Sequence, residues 1–408
     1  MATPDKSLSQ SKTKTAKPLL AVPFHSLGIS QIFSYGLLFY VFAQLKTPLA
    51  LALDCPESDI LMAVSGALIL NAILAPKVGA MVDRYGALFI LSRGLVIGGF
   101  GMGLLPFITS ITGLWVAMVF IGIGYAMSTY ETAFAAAVQL DEKNARRHIS
   151  YITFYGGVAS SITWLTIAPL YIAGGLMTTC LVITGVLGAM AWRCAVLNQR
   201  YGHKNPILKQ DKPPAFNWSI LNRHERWAIS ALALSSSLEY LIFASTTLLW
   251  INWFNAQFND LNLAIFLASI YGPFQVVGRV IEMRFGHKHD ARITGGIAFL
   301  CIPLALMLAQ IQSLPVAVLS MAVFGIGHGV LTVTFGFVTN MYFRAEVYGR
   351  AKGWIVLPRG IGTAFGPSIG GILFVSGADL FFGFMIATSV LSGLAFIALL
   401  AIKPNNHI

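Results

Sequence analysis

Long apolar runs are the feature of this sequence that most limits its fold. The stretch from Leu104 to Val138 contains a single charged residue, Glu131. A helix that crosses a bilayer needs ~20 mostly apolar residues, and a closed barrel would instead show alternating stretches of ~10 residues. Only 11% of the residues are charged and 56% are hydrophobic, whereas a water-soluble domain carries about 25% charged residues. The sequence therefore predicts an all-α polytopic membrane protein.

The basic residues indicate how such a chain is threaded through the membrane. Twelve apolar windows are candidate spans, and the first, at 24–45, is predicted to be an uncleaved span. With a cytoplasmic N-terminus, Lys46 falls in an outer loop and Arg359 in the eleventh span, and all other Lys and Arg lie in or beside cytoplasmic segments, as the positive-inside rule requires. The net charge of +11 therefore reflects topology and not nucleic-acid binding. We predict a multi-pass protein of a bacterial inner membrane with both termini cytoplasmic.

The two parts of the chain repeat each other. Gly122-Ile123-Gly124-Tyr125 in span four matches Gly325-Ile326-Gly327-His328 in span ten, an offset of 203 residues, and the same offset places Arg147 on Arg350. This repeat predicts two pseudo-symmetric six-helix bundles. The predicted boundaries are a disordered cytoplasmic tail at 1–23, a bundle at 24–197, a basic cytoplasmic linker at 198–226, a bundle at 227–402 and a cytoplasmic tail at 403–408.

A motif of glycines and charges ends spans two and eight. Its members are Gly79, Asp83, Arg84 and Gly86 in the first half and Gly278, Glu282, Arg284 and Gly286 in the second. An acidic side chain in such a place can pair with a neighbouring basic residue or face the positive N-terminus of an adjacent span. We expect this gating motif to hold an inner gate closed until the two halves move apart.

Together these features resemble the major facilitator superfamily. The shared pattern is twelve spans in two halves, a long basic central loop and the Gly-xxx-Asp-Arg-x-Gly motif after span two. The resemblance implies a secondary transporter with a central cavity between the two six-helix bundles, working by alternating access. Arg359 is similar to the basic residue that monocarboxylate and oxalate/formate porters place in span eleven. The segment 362–371 resembles a Gly-Pro-xx-Gly-Gly motif that antiporters carry in span five, but here it lies in span eleven and is not taken as a sign of antiport.

Ionisable residues inside spans are the strongest candidates for function, because a charge near the bilayer centre costs at least ~2.5–3.5 kcal/mol. Three such residues stand out: Glu131, Glu239 and Arg359. The candidate set for substrate or proton coupling adds the repeat-related Tyr125 and His328, and Tyr240 beside Glu239.

Glu239 has two interpretations. In the first, it loads and releases a proton, because desolvation raises the pKa of a carboxyl group. In the second, it is a permanently hydrogen-bonded structural residue, satisfied by neighbouring hydroxyls. The candidate hydroxyls are those of Ser235, Ser236, Tyr240, Thr246 and Thr247. His328 is similarly either a neutral histidine hydrogen-bonded within the bundle, which is the favoured interpretation, or a proton relay.

Arg359 cannot lose its proton and therefore needs an anionic partner in every state. Glu131 or a substrate anion can take that place. If both do so in turn, substrate binding competes with the Arg359–Glu131 pair and shifts the conformational equilibrium. The alternative is a fixed ion pair that holds the inner ends of the two halves together.

Three classes of function remain to be compared. The favoured one is a proton-coupled carrier of a small organic anion, acting as a monomer; a proton-driven exporter of drugs, siderophores or metabolites is its alternative. A non-transporting sensor or partner subunit is a different class. An embedded enzyme would need a cluster such as H-E-x-x-H, which the sequence lacks. Neither a cofactor nor a metal is predicted, since the four cysteines have no ligand spacing.

Overall fold

The computed structural model describes residues 21–141, 145–202, 221–285, 289–343 and 345–404, and within these ranges it contains helices and no strands. The predicted tail at 1–23 and linker at 198–226 fall largely outside the described residues. The helices are α1 (Ala21–Tyr35), α2 (Phe42–Leu53), α3 (Glu57–Tyr85), α4 (Ala87–Leu104), α5 (Ile111–Ser128), α6 (Tyr130–Leu140), α7 (Ala145–Gly157), α8 (Ala159–Tyr201), α9 (Arg223–Thr247), α10 (Trp250–Phe258), α11 (Leu261–Phe285), α12 (Ala291–Leu308), α13 (Leu314–Tyr342), α14 (Ala345–Ser376) and α15 (Ala378–Ile397).

These helices make twelve spans, as the apolar windows predict. Ten candidate spans are long and apolar enough to cross a membrane among the described residues. One of them, His148–Tyr201, is 54 residues long and divides into two spans at Gly175, whose φ of 66° is readily adopted only by glycine. The twelfth span is α14, with 32 residues. The prediction of an all-α polytopic fold is confirmed.

Four spans are interrupted within the described residues: span five at Val158, between α7 and α8, and the three described next. A π turn at Gly36–Tyr40 separates α1 from α2, the extended backbone of Thr129 separates α5 from α6, and Leu248 and Leu249 separate α9 from α10. Interrupted backbone at membrane depth is tolerated where protein covers it or where it lines a cavity. These breaks therefore mark the regions in which functional side chains are to be sought.

The first span is longer than predicted, and this corrects the placement of Lys46. The predicted span ends at 45, but α2 continues to Leu53 and stops only at Asp54, whose φ of 50° is left-handed. Lys46 is therefore a buried residue of a helix and not part of an outer loop. The predicted span ended at the charge of Lys46, although Leu49 and Ala50, also buried, continue the apolar face beyond it.

Span eleven lies directly against span seven. Gly362, Gly366 and Gly370 of α14 recur every fourth residue, and a Cβ at each would overlap α9 atoms of Ser237, Leu241 or Ser245. The Ser245 hydroxyl donates to the Gly366 carbonyl at 2.7 Å. Small residues at this spacing allow close helix approach in membranes. The segment that resembles an antiporter motif is thus a packing surface, and it fixes Arg359 next to α9.

The two six-helix halves meet along several pairs of elements, among them α7 with α11 and the three described next. In two of them a serine bridges the halves: the Ser65 hydroxyl of α3 accepts from the amide of Ser368 in α14 at 3.0 Å, and Ser161 of α8 donates to the Ser269 carbonyl of α11 at 2.6 Å. The third joins α2 to the break between α9 and α10, at Lys46. We call this end of the molecule the Lys46 end, and the opposite end, where α3 and α11 finish near Arg84 and Arg284, the basic end.

Candidate functional site

Arg359 and Glu131 form an ion pair between the two halves. Arg359 Nη2 lies 3.7 Å from Glu131 Oε1, and the side chains are 29% and 65% exposed respectively. An ion pair this long and this open is weakly held, because water screens it. The structure thus brings together two residues that the sequence predicted as partners, but in an accessible arrangement and not in a sealed one.

The break in span four positions Glu131. Thr129 is extended, and Glu131 is the second residue of α6, in the first turn of the helix. Its Oε2 accepts a hydrogen bond from the Thr129 hydroxyl at 3.2 Å. The N-terminus of a helix carries a partial positive charge, which stabilises the Glu131 carboxylate even when Arg359 moves away. Groups of its own half therefore hold the Glu131 side chain in addition to Arg359.

Four tyrosines surround this ion pair. The Arg359 guanidinium lies 4.9 Å from the centroid of the Tyr240 ring, and Tyr35 packs edge-on against Tyr125 at 5.6 Å and in a tilted arrangement against Tyr130 at 4.7 Å. Tyr35, Tyr130 and Tyr240 are only partly buried. The result is an aromatic surface with polar hydroxyls beside an accessible guanidinium. Tyr35 and Tyr130 were not among the predicted residues; both lie at the helix breaks.

Glu239 and His328 form a second acid–base pair, sealed inside the second half. His328 Nδ1 lies 2.5 Å from Glu239 Oε1, and each side chain is 3% exposed. The other Glu239 oxygen, Oε2, has no hydrogen-bond partner among the described residues. The His328 ring also stacks on Phe243, with centroids 4.6 Å apart. The contact between the imidazole and the carboxyl group is thus short and buried.

The expected hydroxyl partners of Glu239 prove wrong. Thr246 donates to the carbonyls of Ile242 and Phe243, and Thr247 donates to Phe243. These bonds to the preceding helical turn are the usual choice of a hydroxyl inside a helix, and they occupy the hydroxyl protons. Ser235 Oγ has no partner within the described part of the chain. The partner of Glu239 is instead His328, contributed by another span.

Tyr125 and His328 hold the same place in the two halves but have different neighbours. Tyr125 lies within the aromatic group around Tyr35, whereas His328 contacts a carboxylate. The repeat therefore preserves the position and not the chemistry. Of the two repeat-related residues, only the one in the second half pairs with an acid.

Arg279 is a buried cation that the sequence reasoning did not single out. It is 4% exposed, its Nε donates to the Thr332 hydroxyl at 3.2 Å, and its Nη1 donates across the halves to the Thr153 carbonyl. It also interacts with the Tyr130 side chain. Among the described residues, no carboxylate lies within ion-pair distance of Arg279. Its position, six residues before the end of α11, could have marked it as a residue inside a span. It was not singled out because it lies between Gly278 and Glu282 of the gating motif.

Lys46 is the second missed cation. It is 0% exposed, and its ammonium donates to the carbonyls of Ala43 at 2.7 Å and Leu248 at 2.8 Å and to the Asn252 side chain at 2.8 Å. All three hydrogen bonds that an ammonium can make are satisfied. Two of the three acceptors belong to the other half of the molecule.

The gating motif lies at the basic end, and its members have different surroundings. Arg84 and Arg284 are exposed, and the Arg84 guanidinium lies 5.1 Å from the centre of the Tyr85 ring. Glu282 is buried and accepts from Thr294 at 3.1 Å and Thr334 at 3.3 Å. Both hydroxyls belong to its own half, and Thr294 lies in the first turn of α12, the second of the two partners that the sequence predicted.

The remaining members of the motif are glycines and Asp83. Gly79 lies in α3 with open space around it, Gly86 ends α3 with a φ of 89°, and a Cβ at Gly278 would overlap the backbone of Ile326. Gly286 and the Asp83 side chain lie outside the described residues. Beside the motif, hydrogen bonds from Arg292 hold the pKa of Asp290 below its usual value. These contacts pack the second half together at its basic end.

Comparison with known proteins finds a matching family model and several solved structures with a similar fold. The model of the Major Facilitator Superfamily matches residues 27–357, whereas no curated protein sequence matches. Among solved structures, the nucleoside transporter NupG has a TM-score of 0.70 and 14% identity over 92% of this chain and 99% of its own. A bacterial homolog of the human lysosomal transporter Spinster, in an inward-facing and occupied conformation, has a TM-score of 0.71 and 12% identity over 95% and 98%. The POT family transporter PepTSo has a TM-score of 0.72 and 12% identity over 94% and 98%.

Proposed function

Since the chain belongs to the Major Facilitator Superfamily, we propose that it is a proton-coupled secondary transporter of a small organic anion, working by alternating access. The observation that carries the anionic substrate is the Arg359–Glu131 pair, a permanent cation held at 3.7 Å by an exposed carboxylate. A substrate carboxylate is chemically equivalent to the Glu131 side chain. It can therefore replace Glu131 at the Arg359 guanidinium.

Such an exchange also changes the balance between conformations. The Arg359–Glu131 pair joins one half of the molecule to the other, and a substrate that binds Arg359 breaks that link. A ligand shifts an equilibrium by its difference in affinity for the two states. An anion that binds Arg359 only when Glu131 is released therefore favours the conformation in which the halves have separated at that level.

The charge balance around the tyrosines supports an anion over a cation. Arg279 and Arg359 both interact electrostatically with Tyr240, and the accessible acid beside them is Glu131. An arginine stays protonated under all physiological conditions. Glu239 also acts on Tyr240, but it is sealed against His328. An anionic substrate that displaces Glu131 therefore meets the Arg359 guanidinium without a competing accessible acid.

The proton site in this proposal is the Glu239–His328 pair. Both groups titrate, they lie 2.5 Å apart, and they are nearly fully buried. Intramembrane ionisable pairs of this kind commonly serve proton relays. Because the pair lies within one half, a proton can be held there while the halves rock about the substrate. The unpaired Glu239 Oε2 provides the remaining proton acceptor.

The orientation follows from the basic residues. The basic end faces the cytoplasm, and the Lys46 end faces outward, because cytoplasmic connections collect Lys and Arg. The direction of net transport depends on the gradients, so the same cycle serves uptake of the anion with a proton or its release. One chain provides both walls of the site, and the transporter accordingly works as a monomer.

The test starts from the purified protein. A thermal-shift screen against carboxylates, amino acids, sugars and drugs identifies ligands, because a ligand stabilises the state it binds. The best ligand is then assayed for flux in proteoliposomes with and without an inward proton gradient. We expect carboxylates to stabilise the protein and to accumulate with the gradient. Binding of sugars or cationic drugs alone would overturn the anionic substrate, and binding without flux would indicate a sensor.

A further inference from the structure

The contacts at the Lys46 end have a different character from those of the substrate site. Here a fully buried lysine donates to groups of both halves, and the acceptors are two backbone carbonyls and a side-chain amide. Its nearest acidic neighbour, Glu57, is reached through Asn252, whose Nδ2 donates to Glu57 Oε2 at 3.1 Å. Thr47 donates to the other oxygen of the same carboxylate. Asn252 therefore stands between a cation and an anion that both belong to the first half.

The Leu248 carbonyl is a favourable acceptor for a cation. Leu248 is the C-cap of α9, and the last carbonyls of a helix have no partner within it. The C-terminus of a helix also carries a partial negative charge that attracts a cation. The break in span seven thus creates the site that the lysine occupies, and the interruption of span seven and the burial of Lys46 share one explanation.

These contacts cannot survive separation of the halves at this end. Leu248 and Asn252 would withdraw together, and a buried ammonium that loses its acceptors is strongly destabilised. Glu57 and Ala43 remain with Lys46, because both belong to its own half. The carboxylate that Asn252 occupies in the closed arrangement then becomes available to the ammonium, and an electrostatic attraction between Glu57 and Lys46 already exists.

From this geometry we propose that Lys46 holds the Lys46 end closed, which is the outer gate in the proposed topology. In the closed state its ammonium binds the Leu248 carbonyl and Asn252 of the second half, and in the open state it transfers to Glu57. Asn252 is central to the closed state, since it accepts from Lys46 and donates to Glu57 at once. The role rests on the proposed alternating-access function, but it concerns residues that do not touch the substrate site.

The test measures distances at both ends of the molecule. Spin labels on cysteines at Leu51 and Leu261, both exposed near the Lys46 end, report that gate. Labels at Tyr85 and Phe285, exposed at the basic end, report the other. The four native cysteines are first replaced, and distances are recorded for the otherwise intact chain in lipid nanodiscs without substrate.

We expect Lys46→Met and Asn252→Ala to raise the ratio of open to closed molecules at the Lys46 end at least about tenfold, because each removes a hydrogen bond to a charged group. The distance at the basic end should shorten in the same samples, since the gates alternate. Asn255→Ala, an exposed residue on the same helix, is the matched control and should leave both distances unchanged. Glu57→Gln should leave the Lys46 end closed, because the amide oxygen can still accept from Asn252 in the closed state but no longer attracts the ammonium in the open state.

The outcomes separate this role from a merely structural one. Broader distance distributions at both ends would mean that the variants loosen the whole fold, which would overturn the proposed role of Lys46. Unchanged distances in a folded Asn252→Ala protein would overturn it as well, even if Lys46→Met fails to fold. Opening of the Lys46 end by Glu57→Gln would contradict the transfer to Glu57. Because no substrate is present, none of these results depends on whether the anionic substrate is correct.

Discussion

The two acid–base pairs that the predicted intramembrane ionisable residues form differ in almost every physical respect. Glu239 and His328 lie 2.5 Å apart and are 3% exposed, and both belong to the second half. Glu131 and Arg359 lie 3.7 Å apart, are 65% and 29% exposed, and come from different halves. The first pair consists of two groups that can exchange a proton, whereas the second contains an arginine that never releases one.

This difference suggests a division of labour. A sealed pair excludes any partner larger than a proton, so its chemistry is limited to titration. An open pair between moving halves has a carboxylate that another anion can replace, so its chemistry is ligand exchange. Proton coupling and substrate binding would then occupy separate places, connected through α9, which carries both Glu239 and the Tyr240 ring under Arg359.

The largest effect is expected at the open pair. Arg359→Gln should weaken binding of a carboxylate substrate at least about 100-fold, because the substrate loses two charge-assisted hydrogen bonds of ~1.5–3 kcal/mol each, and every ~1.4 kcal/mol corresponds to tenfold. The measurement is the dissociation constant of the purified variant by calorimetry. Arg93→Gln, at an exposed arginine stacked on Phe89, should bind like the unmodified protein.

The same variant tests whether the open pair is structural. Because Glu131 is largely exposed, it stays solvated when Arg359 is removed, and the folded yield of Arg359→Gln should be preserved. The double variant with Glu131→Gln should not restore binding. Loss of folded protein that the double variant rescues would show a fixed ion pair and erase the contrast with Glu239 and His328.

At the sealed pair, a loss of coupling is expected without a loss of binding. Glu239→Gln keeps the shape of the side chain but cannot titrate, so accumulation driven by a proton gradient should fall about tenfold or more while substrate exchange across proteoliposomes continues. Glu225→Gln is the matched control, because it lies on the same helix and Gln suits its capping position equally well. Undiminished gradient-driven uptake by Glu239→Gln would show that the Glu239–His328 pair is not the proton-coupling site.

An intermediate effect is expected from a conservative change at the open pair. Arg359→Lys keeps the charge but loses the planar guanidinium that lies over Tyr240 and can bind a carboxylate with two hydrogen bonds. Removing one of two such bonds should weaken substrate binding about tenfold. Affinity equal to that of the unmodified protein would mean that Arg359 acts only as a point charge.

Most of the fold could be predicted from the repeat and the apolar runs, for a physical reason. Span number and pseudo-symmetry follow from hydropathy and from matching segments such as Gly122–Tyr125 and Gly325–His328, because every backbone group in lipid must be satisfied within a helix. The end of the first span was wrong at Lys46, since a lysine whose donors are all satisfied inside the protein looks, in the sequence, like a loop residue.

The pairing of side chains was less predictable. Arg359 and Glu131 were foreseen as partners because each is an isolated charge in an apolar span. The Glu239–His328 contact was not, because helical periodicity shows which residues share a face of α9 but not which other helix faces it. Arg279 was missed for the same reason, since its acceptors Thr153 and Thr332 come from two other spans.

The smallest effect is expected from relieving the competition at Arg359. Glu131→Gln removes the anion that a substrate must replace, and exposed ion pairs are worth ~0.2–1 kcal/mol, so carboxylate affinity should rise by up to about fivefold. Titration of the variant by calorimetry measures this gain. Weaker binding instead would show that Glu131 itself contacts the substrate, and the open pair would then be a site for a dipolar ligand.

The separation of proton and substrate sites is tested most directly by counting the protons that binding takes up. Calorimetric titration with a transported carboxylate in buffers of different ionisation enthalpy gives that number from the slope of the observed heat. We expect the unmodified protein to take up close to one proton per substrate, and Glu239→Gln to take up almost none while it still binds. Equal proton uptake by both proteins would contradict the assignment of the proton to the Glu239–His328 pair.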